Sequence, residues 1–179
     1  MKNAVLLAAA LALAPRLAIC DVVDSSASGF TVKTTLQIQA APAEVYRKLV
    51  FNVGDWWNSQ HTFSGNAHNL SMESRAQGCF CEKLPNQGSV RHMEVVTAIP
   101  GGKLVLSGGL GPLQAVAATG IMTFLLSAAP GGAKLEVAYT VGGYLPAGLN
   151  TWAKPVDGVL AEQLARLKSF VERGSPDPH

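Results

Sequence analysis

An α+β domain, in which a curved antiparallel β-sheet wraps around one long C-terminal α-helix, is the fold class this sequence predicts. Three observations predict it. Segments that alternate apolar and polar residues, at Phe30–Ile38 and Lys134–Val141, read as strands buried on one face. Turn signals at Pro85–Gly88, Pro100–Gly102 and Pro130–Gly132 divide the intervening chain into an antiparallel meander. Asn150–Arg173 carries Trp152, Val156, Val159, Leu160, Leu164, Leu167, Phe170 and Val171 at helical steps. A sheet with one apolar face and a helix with one apolar stripe satisfy each other when the sheet curves over the helix.

The composition agrees with a globular chain. Of 179 residues, 48% are hydrophobic and 15% charged, too apolar for a disordered chain. The 14 basic and 12 acidic residues are scattered, which leaves no electrostatic footprint for a nucleic acid.

At the N-terminus, Lys2 precedes the apolar run Ala4–Ala14, too short to span a bilayer but of the length of a secretory core. Residues 1–20 are therefore expected to be a signal peptide cut after Cys20, giving a periplasmic or secreted protein with no transmembrane anchor. Leu17-Ala18-Ile19-Cys20 also admits a lipoprotein anchored through Cys20. Residues 21–29, rich in Ser and Asp, have the composition of a linker. The domain is placed at 30–173, and residues 174–179 form a disordered tail.

Within the domain, the strand at Phe30–Ile38 presents Phe30, Val32, Thr34, Leu36 and Ile38 to one face. Pro42 opens a short helix with Val45, Leu49 and Val50 at helical spacing. Trp56 and Trp57 follow, able to roof a pocket or to plug the core.

Strands at Cys79–Leu84 and Val90–Thr97 make a hairpin with two possible registers. A two-residue turn at Asn86-Gln87 gathers Cys79, Cys81, His92 and Glu94 on one face as an incomplete metal set. A three-residue loop with Gly88 in the left-handed position instead pairs the cysteines with Met93 and Val95, toward the apolar side; this register is preferred. Two residues apart on one strand, Cys79 and Cys81 would have Cα atoms about 6.5–7 Å apart. That spacing suits either buried free thiols or a strained disulfide.

The connection Gly108–Val116 is apolar for a loop, and reads as a lip of a pocket or an edge strand broken by glycine. Pro155 is expected to kink the final helix or delay its start. The chain holds no G-x-S-x-G elbow, no H-E-x-x-H and no phosphate loop, so no catalytic residue, metal or cofactor is assigned.

The order of elements, with Asp55-Trp56-Trp57-Asn58, His61–Gly65, Gly78–Glu82 and Val156–Leu160, resembles the SRPBCC/START-like helix-grip superfamily. That superfamily includes polyketide cyclases, lipid-transfer domains and relatives of a chaperone-ATPase activator. The motifs look like an exported bacterial subgroup. The Gly-Gly-Arg-Phe-like start of the family's third strand is replaced here by Gln77-Gly78-Cys79-Phe80-Cys81, so no role resting on that Arg carries over.

The resemblance implies a cavity between the sheet and the C-terminal helix. The residues expected at it are Phe30, Leu36, Trp56, Trp57, His61, Met93 and Val95, with Leu106, Tyr139, Tyr144, Trp152, Val156 and Leu160. A binding protein for a lipid-like or aromatic molecule is the leading expectation. One alternative is a cyclase or dehydratase using Tyr139, Tyr144, His61 or Glu82 for proton transfer; another is a protein-interaction domain resembling chaperone activators.

If the N-terminal reading is right, Edman sequencing of the exported protein starts at Asp21. Cytosolic material that retains Met1 overturns export.

Overall fold

The computed structural model describes residues 20–177; the expected signal peptide, but for Cys20, lies outside the described residues, as do the last two residues of the tail. Eight antiparallel strands form one sheet, in the order β1-β2-β8-β7-β6-β5-β4-β3. They are β1 (Cys20–Ser26), β2 (Gly29–Ile38), β3 (Leu70–Met72), β4 (Cys79–Lys83), β5 (Ser89–Ile99), β6 (Lys103–Ser107), β7 (Ala117–Ala129) and β8 (Gly132–Tyr144). Two short helices, α1 (Pro42–Phe51) and α2 (Val53–Trp56), follow β2, and α3 (Asn150–Arg173) closes the chain. The α+β architecture expected from the sequence is the one found.

Alternation dictates the core. In β8, Leu135, Val137, Tyr139 and Val141 are all buried, and in β2 so are Phe30, Val32, Thr34, Leu36 and Ile38. α1 adds Val45, Leu49 and Val50. The lower half of α3 lays Leu164, Leu167 and Val171 onto this face. Polar ties fix it there: Lys168 Nζ donates to Gln37 O, Gln39 N donates to Glu172 Oε1, and Arg166 Nε donates to Trp56 O.

Several expectations need correction. Residues 21–29 are no linker: Cys20–Ser26 pairs with β2, and Val22 packs on the core. Its Ser and Asp residues are tolerated because β1 is an edge strand with one wet face. Residues 174–177 are held against α3, with Ser169 Oγ donating to Ser175 O and Arg166 pairing with Asp177. α3 begins at Asn150, ahead of Pro155, which the helix accommodates as its sixth residue at the loss of the one bond its N–H would make to the Thr151 carbonyl.

The hairpin register also differs. Asn86 and Gln87, with φ of 56° and 62°, take the left-handed conformations, while Gly88 sits at φ −66°. The loop is therefore Pro85–Gln87, and Lys83 pairs with Ser89. An extra residue in β5 then shifts the pairing, so that Cys79 faces Glu94 and Cys81 faces Arg91. The cysteines lie half-buried on the outer face, and His92 and Met93 both turn inward at this bulge. Cys79 and Cys81 are joined as a disulfide, their Cα atoms 5.4 Å apart. The metal set does not assemble, and among the described residues no three His, Cys, Asp or Glu side chains gather.

Truncating the helix stripe where it is fully packed tests this arrangement. Leu164→Ala should lower unfolding free energy by about 2–5 kcal/mol in chemical denaturation, as core leucine deletions do.

Candidate functional site

Between the upper half of α3 and the sheet lies a cavity of about 370 Å³. α3 contributes Trp152, Pro155, Val156, Val159 and Leu160, one helical face of its first turns. The sheet contributes Phe80, His92 and Tyr139, and Leu70 adds to them. Two loops complete the wall: Gln60–Phe63 with Trp57 on one side, and Leu110–Leu113 on the other.

Of the residues expected at the cavity, Trp57, His61, Tyr139, Trp152, Val156 and Leu160 line it. Phe30, Leu36, Met93, Val95 and Leu106 do not; they belong to the close-packed core beneath. Trp56 also plugs the core, its indole N–H donating to the carbonyls of Lys48 and Leu49. Tyr144 is 70% exposed at the end of β8 and is not part of the cavity wall.

Sequence reading missed Phe63, Phe80 and His92, which with Trp57 form an aromatic wall. Trp57 and Phe80 meet edge-on at 5.6 Å between centroids, Phe80 and His92 at 5.1 Å, and Phe63 and His92 at 5.8 Å. Phe80 and His92 were hidden by the bulge, which no spacing announces. The apolar connection after β6 is the lip it was read as, wound into a single turn at Gly111–Ala115.

That lip is tethered by Tyr139. Its hydroxyl accepts from Leu110 N at 3.0 Å and donates to Gly108 O at 3.1 Å. Burial pushes the phenol up to about 12, the Leu110 N–H opposing. Gly120 makes room for the ring, since a Cβ there would lie 2.6 Å from Tyr139 Cε2.

Beneath the opposite loop sits Glu82, with 0% of its side chain exposed, and His92, with 4%. Glu82 Oε2 is 3.0 Å from His92 Nε2 and accepts from Phe63 N at 3.0 Å; Oε1 accepts from Ser64 N. Because a carboxylate only accepts, His92 Nε2 carries the proton and Nδ1 accepts from Gln114 Nε2 at 3.3 Å. Burial would raise the Glu82 pKa, but hydrogen bonds from Ser64, Phe63 and His92 outweigh it and hold the carboxyl below its ordinary value. Burial depresses the His92 pKa, against the pull of Glu82.

At the mouth stands a second pair. His61 Nε2 lies 3.0 Å from Glu162 Oε2, and Asn58 Nδ2 donates to Glu162 Oε1. Burial would raise the Glu162 pKa, but Asn58, His61 and Arg166 together lower it. The His61 carbonyl in turn accepts from Trp57 Nε1 at 3.0 Å, so ring and backbone are both fixed. Of the proton-transfer groups considered for a cyclase, Glu82 is sealed, Tyr139 is fully engaged and Tyr144 is outside; only His61 reaches the cavity with a ring nitrogen free among the described residues.

No family model matches the sequence, and no curated protein does. Among solved structures, the conserved protein of unknown function EF2215 from Enterococcus faecalis is similar over 90% of this chain and 80% of its own, at 19% identity and TM-score 0.59. DynU16, from the dynemicin biosynthetic locus, is similar over 83% of this chain but only 49% of its own, at 15% identity and TM-score 0.58. The chain has a helix-grip fold. Aha1 from Colwellia psychrerythraea, solved in solution as a dimer, shares this fold over 80% of this chain and 97% of its own, at 16% identity and TM-score 0.54. At such identities the helix-grip likeness concerns architecture alone.

The Glu82–His92 pair gives the helix-grip domain an acid-labile anchor. Both groups have folded pKa values below their ordinary ones, so the folded state binds fewer protons than the unfolded state. Their stabilisation is complete above the unfolded values. It begins to fade as pH falls below the ordinary His value of 6.5, and fades further below the ordinary Glu value of 4.5. The denaturation midpoint should therefore drop between about pH 7.5 and about pH 5, and His92→Gln should flatten that slope. An unchanged slope in the variant would remove His92 from the cause.

Proposed function

We propose that this chain is an exported member of the SRPBCC/START-like superfamily, a binding module that holds an apolar small molecule, lipid-like or aromatic, between the sheet and α3. The cavity itself carries the reading. Its wall is apolar and aromatic, and its buried polar side chains are hydrogen-bonded to the protein, so water inside gains little and an apolar guest displaces it favourably. The two tethered loops give it a preformed shape, which lowers the entropy cost of binding. The apolar signal-like run Ala4–Ala14 supports export.

A titration with a naphthalene-type fluorescent dye tests this. The protein should bind the dye, and Trp152→Ala, which strips a large ring from the wall, should weaken binding about tenfold or more while unfolding stays cooperative. Absence of any dye binding by the unmodified protein would sink the proposal.

A further inference from the structure

The side-chain hydrogen-bond donors around this cavity are almost all spent. Trp57 Nε1–H goes to His61 O, Thr62 O–H to Ser59 O at 2.7 Å, Tyr139 O–H to Gly108 O and His92 Nε2–H to Glu82. Gln60, exposed at the mouth, has no side-chain hydrogen bond among the described residues. Apart from that amide, what the wall's side chains retain are acceptors.

The strongest of these is His61 Nδ1, and its state follows from a chain of pinned atoms. Asn58 Oδ1 accepts from Gln60 N at 2.9 Å, so the Asn58 amide must turn its Nδ2 to Glu162 Oε1. Glu162, a carboxylate, can only accept, so its Oε2 takes the proton of His61 Nε2. In the neutral ring the remaining nitrogen, Nδ1, is then a lone-pair acceptor on a cavity-lining side chain, without a partner among the described residues. His92 differs here: both of its nitrogens are engaged.

Charge narrows the guest further. Among the described residues no Lys or Arg lines the cavity, and Glu162 stands behind His61. A carboxylate entering would lose hydration, find no lysine or arginine to pair with and meet the like charge of Glu162.

We propose that His61 Nδ1 is the polar anchor of the cavity, and that the ligand is a neutral apolar molecule carrying a hydroxyl, an alcohol or phenol, which donates its hydrogen bond to that nitrogen. This inference rests on the cavity-binding reading above and specifies its ligand.

Three probes of one skeleton separate the possibilities: 2-naphthol, 2-methoxynaphthalene and 2-naphthoate, titrated at about pH 8, above the ordinary imidazole range, where the naphthol is neutral and the naphthoate ionised. The naphthol should bind about three- to tenfold more tightly than the ether, the worth of one hydrogen bond, and the naphthoate should bind most weakly. Glu162→Gln supplies a tautomer test. Asn58 Nδ2 will hold the new amide's oxygen, so its NH₂ faces His61 Nε2 and drives the ring proton to Nδ1. In that variant the naphthol should lose its advantage and the ether should gain.

Equal binding of naphthol and ether by the unmodified protein, or tightest binding of naphthoate, overturns the anchor while leaving the cavity reading intact. An undiminished naphthol preference in Glu162→Gln overturns the assignment to His61. Failure of all three to bind overturns the cavity reading and this inference together.

Discussion

A carboxylate with no access to water, Glu82, is the constraint around which one side of this molecule is arranged. An ionised group in that position is tolerable only if every lone pair is met. The chain meets the need from three directions: the backbone of Phe63 and Ser64 bends over it, and the His92 ring reaches it from the neighbouring strand. Satisfying Glu82 therefore draws the loop after α2 onto the sheet and turns His92 inward. Phe63 and His92 arrive at the cavity as a consequence of that charge.

The inward turn of His92 has its own local cause. β5 carries an extra residue opposite Phe80–Cys81 and another between Val95 and Thr97, and each bulge bends the strand and adds twist. The curvature lets one sheet contact α3 along its lower half and stand away from it along the upper half. The cavity is the space left by that divergence, kept open by side chains bonded to their own backbone neighbours.

Much of this was legible beforehand, for definite reasons. β2, β8 and α3 announce themselves because each has one buried face, and burial imposes a period of two or of 3.6 on the sequence. Val22 alone carries no such period, so β1 passed for a linker. Three-residue β3, Leu70–Met72, is too short to show one. The hairpin register escaped because Asn86 and Gln87, rather than Gly88, take the left-handed conformations, and because a bulge changes the facing of all residues beyond it. That one change put Phe80 and His92 on the inner face in place of the cysteines, while Met93 and Val95 remain inward, in the core below the cavity. The His61–Glu162 pair could not be read at all: its members lie 101 residues apart and meet only once α3 crosses the sheet.

The division of α3 into two halves reaches beyond this one structure. Leu164, Leu167 and Val171 hold the domain together, whereas Trp152, Val156 and Val159 touch the cavity, and Leu160 alone stands in both the buried stripe and the cavity wall. Natural selection can therefore retune the guest by exchanging side chains near the start of the helix, without drawing on the stability stored near its end. A scaffold partitioned in this way is evolvable: its descendants can diverge widely in what they carry and in sequence while keeping the same backbone course.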